Sequence, residues 1–243
     1  MEMEIIDANT LFGFWPLRRL DMSLPTLFNN IKRHGIKGAC TLSAKGIFYD
    51  FVQGNEETLQ ASQAHDWVIP VGTVDLRKFV GYEEEIKRRR EQGFKLFRFF
   101  PDYQAWPIES ILFRKLLRAL NDWGMPFMIP AKTFEMTKLA EVTEGFKPPI
   151  IVESLSYYKT AEILAVMEEN SNIYVETHWL HGPDSIETFV ERVGAERLIF
   201  GSSAPLFYIA PALNRVVNAE ITDRQKELIL SKNLLKAVIA HDN

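Results

Sequence analysis

Short apolar runs rich in Val, Ile, Leu and Phe alternate with stretches of helical periodicity along the whole chain. The runs are Ile5 to Ala8, Gly38 to Leu42, Trp67 to Val74, Phe94 to Phe100, Pro126 to Ile129, Pro149 to Val152, Asn172 to Glu176 and Arg197 to Phe200. They are nearly continuous in apolar residues, as strands buried on both faces of a parallel sheet must be. Amphipathic segments fall between them, at Leu24 to His34, Glu56 to His65, Tyr82 to Gln92, Ile108 to Trp123, Phe134 to Glu144, Lys159 to Glu169 and Ser185 to Val193. Gly35, Gly93, Gly124, Gly145 and Gly194 each follow a helical run, where a left-handed cap is wanted. The tail from Thr222 to Ile239, with Leu228, Ile229, Leu234, Leu235 and Val238, supplies one or two further helices, and Asp223 suits the first N-terminus.

Eight strands, each of the first seven followed by its helix, predict an α/β protein of the (β/α)8 TIM-barrel class. An open doubly wound sheet uses the same units. The strand count and the absence of a glycine-rich phosphate fingerprint favour closure. The longest irregular stretches, Asn9 to Ser23, Ser43 to Gly54, Pro101 to Pro107 and Thr177 to Asp184, all follow strands. In a barrel they rise at the C-terminal face, where sites are built.

At 243 residues, 47% apolar and 25% charged, the chain reads as one globular domain spanning 1–243. A net charge of -4 gives no footprint for a nucleic-acid partner. The basic run Lys87 to Arg90 lies four residues beyond Glu83, Glu84 and Glu85, the spacing of ion pairs on a solvated helix face. No apolar stretch approaches the ~20 residues that span a bilayer, and the N-terminus lacks a secretory leader pattern. Cys40, the single cysteine, sits in an apolar run and reads as a small buried hydrophobe. A cytoplasmic location is expected, with no membrane partner. His34 and His65 lie near helix ends and His241 in the terminal tail, where capping or exposure accounts for them.

The run Ile-Ile-Asp-Ala-Asn-Thr-Leu-Phe-Gly at the first strand resembles the amidohydrolase-related family, whose first strand ends in a His-x-His pair. The resemblance continues through Tyr49-Asp50-Phe51, Ile69 to Asp75 and Gly93 to Arg98. It is most specific at Glu196-Arg197-Leu198-Ile199-Phe200-Gly201-Ser202-Ser203-Ala204-Pro205, which is similar to the family's strand-eight motif. The resemblance implies a metal-dependent hydrolase-like barrel with metal ligands at five positions, and this chain replaces them. Asn9 and Leu11 stand where the histidine pair is expected, Pro130 replaces the histidine after strand five, and Ser203 replaces the strand-eight aspartate. Glu153 stands at the strand-six histidine, with Ser154 the alternative if the register slips by one.

A hydrolytic metal site needs several imidazole or carboxylate ligands around an open position. Leu11 and Pro130 carry no donor, Asn9 and Ser203 are weak neutral donors, and only Glu153 remains a strong one. No metal and no other cofactor is therefore expected. Glu153, Glu176, His178 and His181 could be imagined as a replacement cluster, although an ordinary polar rim explains them as well. A metal-free hydrolase would use Glu153 or His178 as general base and Arg98 or Lys132 to stabilise a developing anion; a branch of the superfamily that hydrolyses lactones without metal gives this a precedent by resemblance. Rim salt bridges are the plainer reading of Arg98 and Lys132, and a strand-end turn that of Ser203. Phe12, Phe14, Trp15, Phe99, Phe100, Tyr103, Trp106 and Trp179 follow strands and should pack over the mouth, line a pocket for a planar ligand, or meet another subunit of a homo-oligomer. Two readings stay open: a diverged, metal-independent hydrolase of a small molecule, and an inactive barrel that binds a small ligand or a partner.

Overall fold

The computed structural model describes residues 3–78 and 81–239. Eight parallel strands stand in sequential order: β1 (Ile6–Phe12), β2 (Gly38–Ser43), β3 (Val68–Gly72), β4 (Leu96–Arg98), β5 (Phe127–Pro130), β6 (Ile150–Glu153), β7 (Ile173–Glu176) and β8 (Leu198–Ile199). The ring closes where Ala8 N–H donates to Phe200 O (3.0 Å) and Leu11 N–H to Ala204 O (2.9 Å). All eight predicted strands are present: β3, β4, β7 and β8 are shorter than their apolar runs, β5 and β6 match theirs in length, and β1 and β2 run on beyond theirs.

The principal crossover helices are α1 (Leu24–Arg33), α3 (Phe51–Ala64), α4 (Tyr82–Glu91), α6 (Ile111–Asp122), α7 (Met136–Val142), α8 (Thr160–Glu169) and α9 (Ser185–Val193), each placed where periodicity put a helix. Single-turn helices α2 (Lys45–Phe48) and α5 (Pro101–Gln104) occupy stretches read as irregular. After β8 comes α10 (Ile209–Val217), a helix outside the predicted set. Ile209, Ala212, Leu213 and Val216 bury its inner face at helical spacing, and Pro211 falls in the first turn, where no backbone donor is lost. The tail then forms α11 (Asp223–Glu227), closed by a Thr222 to Gln225 capping box, and two π-helical turns to Ile239. His241 lies outside the described residues.

Cys40, Val71, Leu96, Met128, Ile151 and Ile199 belong to the cluster inside the barrel, and a larger apolar shell lies between strands and helices. The five glycines after helical runs all have positive φ. Cys40 is 1% exposed, and burial pushes its thiol far above the ordinary range. One charged pair departs from expectation. Arg89 and Glu85 pair four residues apart on α4 but are buried, not solvated, because Arg89 reaches across to α3. Its guanidinium donates to Glu85 (2.7 Å), Glu56 (2.9 Å), Gln92 (3.0 Å) and Val52 O (3.1 Å), leaving no nitrogen unpaired. Among the described residues no helix is long and apolar enough to cross a membrane.

Candidate functional site

The site begins with an irregularity in β1. Its register against β2 shifts between Asp7 and Thr10, the signature of a bulge, which re-aims the side chains that follow. Asp7, fully buried, braces the shift: Oδ1 accepts from Asn9 N–H (2.9 Å) and Ser202 N–H (3.0 Å), and Oδ2 accepts from the Ser202 hydroxyl. β1 is thereby tied to the end of β8. Burial pushes the Asp7 carboxyl up to about 6, against the lowering effect of these hydrogen bonds.

Asn9 then points to the mouth of the barrel. Its Nδ2 lies 2.9 Å from Glu153 Oε2, 2.9 Å from Ser203 Oγ and 3.2 Å from Glu176 Oε2. Three acceptors around one nitrogen place the N–H side of the amide toward them. Across the barrel Arg98 grips Glu153 with two parallel hydrogen bonds, Nε to Oε1 at 2.5 Å and Nη2 to Oε2. Such a fork fixes the carboxylate in one orientation. Glu153 faces inward on the same side of β6 as Ile151, which packs in the inner cluster, and meets Asn9 and Arg98 there. Ser154 has φ +56° and borders the cavity beside it.

Glu176 Oε1 accepts from His178 N–H at 2.6 Å, and a Cβ on Gly201 would stand 2.4 Å from that oxygen. Glycine is required there for close approach. Burial first, and the neighbouring Glu153 second, push the Glu176 carboxyl up to about 8, so it holds its proton at neutral pH. His178 has neither ring nitrogen hydrogen-bonded among the described residues. Burial, then His181 and Arg215, push it down to about 4, leaving a neutral imidazole. Its ring lies 4.7 Å from that of Phe207 and 5.5 Å from that of Trp179. His181 is drawn away by Arg215, whose Nη2 donates to its Nδ1 at 2.8 Å.

Above this network is a cavity of about 40 Å³ that Leu11, Arg98, Pro130, Lys132, Glu153 and Ser203 help to line. Lys132 Nζ is 3.9 Å from Asp102, whose other oxygen is buried without a partner. Trp15, Phe100, Tyr103, Trp179 and Phe207 supply aromatic walls, with Trp15 edge-on to Phe48 (4.9 Å) and Tyr103 (5.3 Å). Not every loop aromatic gathers there. Phe12, Phe99 and Trp106 join the shell between strands and helices, Phe99 because successive strand residues face opposite sides, and Phe14 is exposed.

The residues do not fit the metal that the family resemblance implies. Leu11 and Pro130 have no donor, Asn9 offers its amide nitrogen, and the guanidinium of Arg98 occupies Glu153 with a positive charge that would repel a second cation. Glu153, Glu176, His178 and His181 do not converge as a replacement site: among the described residues no group of three or more His, Cys, Asp or Glu could hold a metal ion. Of the residues named from sequence, Asn9, Glu153, Ser203 and Arg98 form one network, Leu11, Pro130 and Lys132 border it, and His178 stands behind the aromatic wall. The reading missed Asp7, Ser202 and Asp102. The Asp in the first-strand frame was the available signal for the first; nothing local marks the other two.

A family model described as amidohydrolase matches residues 50–236. No curated protein matches the chain. Among solved structures, 5-carboxyvanillate decarboxylase from Sphingomonas paucimobilis superposes with a TM-score of 0.79 at 13% identity, over 98% of this chain and 99% of that one. A protein assigned as a 2-pyrone-4,6-dicarboxylic acid hydrolase from Pseudomonas putida gives 0.77 at 14%, over 98% of each chain. A TIM-barrel protein from Bordetella bronchiseptica gives 0.77 at 14%, over 97% of this chain and 98% of that one. At such identities the likeness carries the fold alone.

Proposed function

Since the chain belongs to the amidohydrolase family, we propose that it is a hydrolase of a small carboxylate-bearing molecule, working without a metal ion. The observation that carries this reading is the Arg98–Glu153–Asn9–Ser203 network, which puts a fixed cation, a fixed carboxylate and a hydroxyl at the cavity where the family keeps its metal. Fixed charges facing a poorly hydrated cavity stabilise a transition state without reorganising.

Glu153 is the general base. Oε1 has a lone pair beyond its bond to Arg98, and the residue borders the cavity. It takes a proton from water as the water oxygen bonds to the substrate carbonyl carbon, and returns that proton to the leaving group as the carbon–heteroatom bond breaks. Ser203 Oγ accepts from Asn9, which leaves its own proton free to donate to the developing oxyanion. Arg98 and Lys132 hold the substrate's carboxylate, and His178, neutral with free nitrogens, becomes available for proton transfer if the aromatic wall moves. The small planar carboxylates named in two of the structural relatives fit this charge pattern. Action on a free small molecule in the cytoplasm, not on nucleic acid or membrane, accords with it.

A specific observation favours the alternative, an inactive barrel that binds its ligand: the cavity is only about 40 Å³, and both Glu153 oxygens are engaged by Arg98. Turnover assays on lactones, amides and aromatic carboxylates, run with and without chelator, separate the two. Chelator-resistant turnover, lost in Glu153→Gln and lowered ~10²-fold in Ser203→Ala, is the expected result. Ligand binding without turnover establishes the alternative, and activity that tracks bound zinc or manganese sinks both.

A further inference from the structure

Phe207 lines the inner cavity and also lines a second cleft of about 530 Å³. We propose that Phe207 is a gate between the two, and that the outer cleft is a subsite for an alkyl or aryl chain carried by the substrate. The inference rests on the barrel mouth being a small-molecule site.

Size makes the first argument. At about 40 Å³ the inner space has room for a few waters, each needing at least ~10–15 Å³. Ligand pockets are typically ~300–1,000 Å³, and the inner cavity enters that range only when joined to its neighbour. The gate itself makes the second. Phe207 lies in the loop between β8 and α10, is 44% exposed, and is held by ring contacts to His178 (4.7 Å) and Trp179 (5.6 Å). A side chain with no hydrogen bond to break turns at low cost, and turning it removes one of the rings packed on His178.

Polarity makes the third. The inner end carries Arg98 and Lys132, whereas Leu20, Pro205, Tyr208, Ile209 and Pro211 form an apolar wall of the outer cleft. Asp21, Thr26, Asn30, Arg33 and His34 make up the polar part of the lining, so a chain lies against the apolar residues and stays partly hydrated. A charged head and an apolar tail match this order. An unsubstituted acid would fill the inner end alone.

Calorimetric titration with acetate, butyrate, hexanoate and octanoate tests the assignment. The wild type should bind more tightly as the chain lengthens beyond butyrate, by up to about threefold per methylene. Ala210→Trp, which fills the outer cleft without touching the inner cavity, should level the series and leave acetate and butyrate unchanged. Tyr208→Ser, at an 88% exposed position, should flatten it partly and serves if the tryptophan variant does not fold. Phe207→Ala should speed association while keeping the chain-length trend. A flat series in the wild type and in Phe207→Ala, with Arg98-dependent binding of the short acids intact, overturns the subsite and leaves the hydrolase reading standing. A trend that survives both cleft variants also overturns it. Failure of every acid to bind overturns the subsite together with the reading beneath it.

Discussion

Glu176 offers a direct test of the charge arrangement at the mouth. It is fully buried, and burial pushes its carboxyl from the ordinary 4.5 up to about 8. Hydrogen counting points the same way. Asn9 Nδ2 has two protons for three acceptors, and its contact with Glu176 is the longest, 3.2 Å against 2.9 Å for the other two. Below pH 4.5 both folded and unfolded chains hold the Glu176 proton, and it costs nothing. Above that the unfolded chain ionises while the folded one does not, so stability falls as pH rises, by about 1.4 kcal/mol per unit until pH 8. Glu176→Gln removes this dependence at nearly constant shape. Its amide meets the Asn9 amide nitrogen less well, but that mismatch is the same at every pH. Urea unfolding of both proteins between pH 5 and pH 8 is the assay, and the difference between them cancels Asp7, His178 and His181, which both retain. That difference should shift by about 4 kcal/mol in favour of the variant. A difference constant across the range would falsify the view that Glu176 is held neutral in the barrel.

Other substitutions probe the same network and the outer shell. Arg98→Met leaves Glu153 buried and uncompensated, so it should lose about 3–5 kcal/mol of stability, and adding Glu153→Met should restore most of it in a double-mutant cycle; additive losses would mean the pair is not coupled. Arg89→Ala breaks the buried α4–α3 connection and should also cost about 3–5 kcal/mol, whereas Glu83→Ala on the exposed face should change stability by less than about 0.5 kcal/mol by thermal melting. Equal effects would contradict the burial of Arg89. Gly201→Ala drives a methyl group to within 2.4 Å of Glu176 Oε1 and should cost about 1–3 kcal/mol. That penalty should be no smaller in Glu176→Gln and nearly absent in Glu176→Ala, where the blocking atoms are gone.

What sequence made legible and what it hid divide along one physical line. The barrel shows in the pattern because burial acts on each segment separately: eight apolar runs, seven amphipathic stretches and five left-handed glycines each announce themselves within a few residues. Even α10, outside the predicted set, has its inner face written in the spacing of Ile209, Ala212, Leu213 and Val216. The burial of Glu85 and Arg89 was not legible, since four-residue spacing is identical for a solvated pair and for one that reaches another helix. At the mouth the sequence named residues but not how they meet. Asn9 meets Glu153, Glu176 and Ser203 across separations of 144, 167 and 194 residues, and only the closed ring brings them together. The direction in which Asn9 points depends in turn on a one-residue irregularity in β1, held by Asp7 against Ser202. Without that bulge the strand's alternation would send the amide elsewhere, and Glu153 would face Arg98 alone. The carboxylates buried at the mouth are therefore balanced together, Glu153 by the fixed cation of Arg98 and Glu176 by its own proton.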